Sequence, residues 1–132
     1  MRTPTLVVLL VRSEITLSLW RFVLETHGFR VLGSVSPKQA TSFIAKEYLA
    51  PIVVMAELEA VSGKRTFLRE VKASYPHVRS LVFSSKYTDT SLDVLANVFL
   101  PKSLTDAAIV ISRLKVLAMR KRGPKPVERR AA

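Results

Sequence analysis

The sequence predicts an α/β domain, a three-layer, doubly wound (βα)5 arrangement around a central five-stranded parallel sheet. Three observations carry that prediction. Residues 6–11 (LVVLLV) and 52–55 (IVVM) are continuous apolar runs without polar alternation, the pattern of strands covered on both faces. Between successive strand-like runs lie segments whose apolar residues recur at helical spacing, so each connection has room for the crossover that parallel strands require. A chain of 132 residues and 14.7 kDa supports one core and hardly two.

Each element has a local reason. After the strand at 6–11, Ser13 and Glu14 open a helical stretch over 15–27, with Leu17, Trp20, Val23 and Leu24 inward and Gly28 as its stop. Residues 29–35 read as the second strand. Ser36 and Pro37 then supply an N-cap and a first-turn proline for a helix reaching about Tyr48, with Ala40, Phe43 and Ile44 inward. The third strand is 52–55. Beyond Gly63, residues 65–75 carry Phe67, Leu68 and Val71 on one face, and Pro76 ends that helix before a strand at 80–84. A short, weaker helix is expected over 88–96, a short strand over 98–100, and a long helix from Leu104 to about Met119 with no obvious cap.

Composition narrows the chemistry. Hydrophobic residues at 48% and charged ones at 23% are ordinary for a folded domain and argue against global disorder or a coiled-coil rod. The longest apolar run is far short of the roughly 20 residues a membrane span needs, and no signal-peptide cleavage pattern follows it, so a cytoplasmic protein is expected. With no cysteine there is no disulfide frame or thiolate site, and His27 and His77, 50 positions apart, make a poor metal pair. Both are read as cap or loop residues. Trp20, Phe43, Phe67 and Phe83 sit at core periodicity, and the Gly28–Gly33 spacing lacks the Lys-Ser/Thr of a phosphate loop.

The formal charge of +11 is unevenly spread. Residues 113–132 hold eight basic side chains (Arg113, Lys115, Arg120, Lys121, Arg122, Lys125, Arg129 and Arg130) against Glu128, a net +7 that leaves +4 for residues 1–112. Residues 1–118 form the expected domain, and 119–132 an expected disordered basic tail. The tail is a solubility device, a nonspecific phosphate-contacting arm or a docking arm for an acidic protein. No helix-turn-helix follows residue 120, so sequence-specific DNA reading is not expected.

In an open parallel sheet, ligands bind beyond the carboxyl ends of the strands. The residues there read Arg12-Ser13-Glu14, Ala56-Glu57-Leu58-Glu59, Ser84-Ser85 and Pro101-Lys102. Over roughly residues 4–118 the sequence resembles a response-regulator receiver domain of the CheY-like superfamily, a flavodoxin-like fold. VVLLVRSE looks like its first strand and acidic pair, PIVVMAELEAVSG like its phosphoacceptor strand and loop, and LVFSS like its fourth strand ending in a hydroxyl residue. VFLPKS is similar to its fifth strand, with the switch-like aromatic at Phe99 three places before Lys102.

The departures from that pattern direct the functional expectation. A phosphorylatable receiver needs two carboxylates after strand one and an aspartate after strand three, to hold Mg²⁺ and accept phosphorus. Here the acidic pair maps to Arg12 and Ser13. The acceptor position falls on Ala56, or on Met55 if the family's spacing back from Gly63 is kept. Glu57, the nearest carboxylate, fits only if the loop to Gly63 has lost two residues. Ser84 and Lys102 survive, and Lys102 is expected to pair with Glu57, or next with Glu59.

The resemblance therefore implies a degenerate receiver, a pseudo-receiver, with no enzymatic activity and no cofactor. It would be a phosphorylation-independent adaptor in a bacterial two-component-type pathway, meeting a protein partner or a second copy through the helix at 88–96, the strand at 98–100 and the long C-terminal helix. About four residues are missing between Ser84 and Lys102 relative to a typical receiver, so that face should be altered. The alternative is a small basic nucleic-acid-associated protein that uses the tail.

Overall fold

A computed structural model describes residues 5–48, 51–57, 64–83, 97–100 and 106–120. Their strands are β1 (Leu6–Leu10), β2 (Arg30–Ser34), β3 (Ile52–Glu57), β4 (Arg79–Phe83) and β5 (Val98–Leu100), and their helices α1 (Glu14–Thr26), α2 (Pro37–Glu47), α3 (Lys64–Ser74) and α4 (Ala107–Arg120). All strand pairs are parallel, in the order β2-β1-β3-β4-β5. Every residue of β1 and β3 is buried, which is why their sequences carry no polar alternation before Glu57.

Helices cover both faces of the sheet. Ala40 and Ile44 of α2 and Phe67, Leu68 and Val71 of α3 pack on Leu6, Val8, Leu10, Val54 and Ala56. On the other face Leu17 and Leu24 of α1 and Val110, Ile111, Leu114 and Leu117 of α4 pack on Val7, Leu9, Val53, Met55 and Leu81. Strand alternation sends successive side chains to opposite layers, so one apolar run feeds two cores. Trp20 and Val23, expected inside, are only partly buried against the α1/α4 layer.

Local chemistry sets the helix ends. Ser13 Oγ accepts the Thr16 N–H at 3.2 Å, and Ser36 Oγ accepts the Gln39 N–H at 3.2 Å just before Pro37. α1 ends in a Schellman arrangement: Phe29 N–H donates to Leu24 O and Gly28 N–H to Glu25 O, each at 3.1 Å, with Gly28 at φ 90°. The missing cap of the last helix is Asp106, whose Oδ1 accepts the Ile109 N–H at 3.0 Å.

Several expected boundaries move. β3 runs through Glu57, two residues past the expected 52–55, because Leu10 and Val82 flank Ala56 and Phe83 flanks Glu57 in the ladder. β4 begins at Arg79, and α4 is helical through Arg120. The helix expected over 88–96 and the segment beyond 120 lie outside the described residues.

Candidate functional site

With β1 lying between β2 and β3, the strand order reverses at the β1/β3 seam, and the crevice beyond their carboxyl ends is where such sheets place ligands. Arg12 emerges from β1 on one side of that seam, and Glu57 closes β3 on the other. Glu57 is 5% exposed, and its Oε1 accepts the backbone N–H of Arg12 at 2.8 Å. The bond gives an ionisable carboxylate a charge-assisted partner and satisfies an amide that has just left the ladder. On its other side the register partner of Glu57 is Phe83, whose ring lies 5.5 Å from that of Trp20 at 58°.

The other residues of the expected pocket have different tasks. The Arg12 side chain is exposed. Ser13 is the N-cap of α1, and its hydroxyl also donates to Thr16 Oγ1 at 3.0 Å. Glu14 is exposed in the first turn, where a negative charge complements the helix dipole. Met55 and Ala56 are fully buried inside β3, one in each core layer, and Glu57 is the last residue of the strand. The end of β3 is set by its ladder partners, Leu10 of β1 beside Ala56 and Phe83 of β4 beside Glu57. Ser84, Glu59 and Lys102 lie outside the described residues, as do the basic positions beyond 120 and the side chains of Phe99 and Arg120.

The described residues at this seam do not form a donor set that fits a divalent cation with octahedral oxygen preference. Glu57 has one oxygen on an amide, the Ser13 hydroxyl is committed to its helix, and the side chain of Arg12 is a cation. Among the described residues no three His, Cys, Asp or Glu groups gather into a metal-binding cluster. His27 and His77 hold loop geometry: His27 Nδ1 lies 2.9 Å from Val23 O, and His77 Nε2 lies 2.8 Å from Tyr48 O. No described helix is long and apolar enough to cross a membrane.

No protein-family model and no curated protein matches the sequence. Solved structures do match. A response-regulator receiver domain protein from Clostridium thermocellum superposes with a TM-score of 0.77 at 19% identity, covering 89% of this chain and 97% of that one. A response regulator from Thermotoga maritima gives 0.74 at 22%, covering 89% and 99%. A CheY-like receiver domain protein from Methanospirillum hungatei gives 0.78 at 12%, covering 91% and 98%. The chain has the α/β parallel-sheet fold of response-regulator receiver domains.

Sequence reasoning missed three features of this region. The Trp20–Phe83 pair joins a helix to a strand far away in the chain and leaves no local signal. Gly33 lies under α1, where a Cβ would meet Leu17 side-chain carbons at 2.7–2.9 Å. Only the Asp106 cap was discoverable, as an Asp directly before the apolar run AAIVI.

Proposed function

We propose that the chain is a receiver-like signalling module that acts through protein–protein interaction in a two-component-type pathway and is not switched by phosphorylation. The neighbours' fold supports the signalling class. The observation that carries the rest is the bond from Arg12 N–H to Glu57 Oε1 at the seam where the fold binds ligands. A phosphoacceptor must offer a carboxylate oxygen to phosphorus while a cation neutralises the incoming charge. Here the carboxylate is tied to β1, and the neighbouring positions supply a guanidinium and a helix cap. A permanent tie between the ends of β1 and β3 holds one conformation continuously, where a switchable receiver divides its population between two.

Incubation with a small phosphodonor, and separately with beryllofluoride and Mg²⁺, tests the reading. Unchanged intact mass and unchanged amide spectra are expected. A stoichiometric, base-labile phosphate adduct overturns it.

A further inference from the structure

The layer formed by α1 and α4 exposes large apolar side chains on its outer side as well as burying them on its inner one. On α1, Ile15, Leu19 and Phe22 are 76%, 65% and 71% exposed, and their i, i+4, i+7 spacing makes one stripe. On α4, Ser112, Val116 and Met119 repeat that spacing, with Val116 46% and Met119 69% exposed. The inner sides of both helices enter the same core cluster, so the two outer stripes lie in one layer and face away from the sheet together. Their flanks carry opposite charge. Exposed Glu14 and Glu25 lie along one edge of the α1 stripe, at its two ends with half-buried Arg21 between them, for a net negative edge, whereas exposed Arg113 and Lys115 flank the α4 stripe on its two sides.

We propose that this layer is the interface of a homodimer in which α1 of each copy lies against α4 of the other. Both members of the complementary pair stand on one layer of one chain, so a single two-fold axis satisfies both contacts. An antiparallel α1–α1 pairing would bring the two acidic edges together, and an α4–α4 pairing would oppose the basic flanks. Area favours the mutual arrangement too. A 13-residue α1 alone offers a face only about 20 Å long, small beside the roughly 800 Å² per partner of a stable interface; α4 doubles it. The surface differs from the one the family resemblance implies, since α1 takes the place of the 88–96 segment, and it stands independently of the proposed function.

Sedimentation analysis of the full chain tests the proposal, with a dimer of twice 14.7 kDa expected. Leu19→Glu combined with Phe22→Glu should give monomer with unchanged circular dichroism and melting temperature, because both side chains are outside the core. Glu14→Lys with Glu25→Lys, and separately Arg113→Glu with Lys115→Glu, should each raise the dimer dissociation constant about tenfold; all four together should restore it. A wild-type monomer at every concentration overturns the proposal, as does a dimer that survives the Leu19/Phe22 change. Loss of the dimer with the α1 variants and indifference to the α4 variants overturns the pairing of α1 with α4.

Discussion

Glu57 is a carboxylate whose replacement separates two contributions. Glu57→Ala leaves the Arg12 N–H without its acceptor and should destabilise the fold by about 1–3 kcal/mol; Glu57→Gln keeps an oxygen at the site and should lose distinctly less. Urea unfolding of the pair checks this, and equal losses would show that the 2.8 Å bond is not what holds the residue. Gly33 supplies a steric counterpart in β2. Gly33→Ala places a methyl group within 2.7–2.9 Å of Leu17 carbons and should destabilise by about 1–3 kcal/mol through overpacking. Combined with Leu17→Ala, which opens the space the methyl needs, the loss should fall short of the sum of the single losses in a double-mutant cycle. Neither relation was legible in the sequence, because each joins residues that only the sheet register brings together.

α1 shows what a local stretch of sequence does reveal. Its N-cap serine, inward Leu17 and Leu24, and terminal Gly28 all sit within one window, and all have the roles their spacing predicts. Gly28→Ala forces a side chain into the left-handed region and should destabilise by about 1–2 kcal/mol, with Gly28→Asn milder; Ser13→Ala should remove about 1 kcal/mol by loss of the cap. Thermal unfolding followed at the α1 amides separates fraying at either end from global loss. β3 shows the opposite case. A glutamate after IVVMA reads as the exit from a strand, yet the ladder to β1 and β4 carries the pairing to it. Strand ends depend on distant partners, whereas helix caps depend on neighbours three residues away, which is why the Ser36-Pro37 start was visible and the end of β3 was not.

At the scale of the molecule, charge and packing belong to different parts of the chain. Residues 121–132 hold five basic side chains against Glu128, and the described core closes without them. Deleting them should leave the melting temperature within about 2 °C, while any affinity for DNA should collapse and, in the intact chain, fall steeply with salt. Titrating DNA against both forms at two salt concentrations checks this; undiminished binding by the shortened chain would place the basic surface on the folded domain. The strand order has a consequence for synthesis. β1 is made first but lies between β2 and β3, so its LVVLL segment stays unsheltered on one edge until residue 57 has left the ribosome. At about 5–20 residues per second that wait lasts several seconds, during which a short, uncharged, β-prone stretch is open to mispairing. The nascent chain is accordingly most exposed to chaperone capture and aggregation at the very segment that becomes the most sheltered strand of the finished sheet.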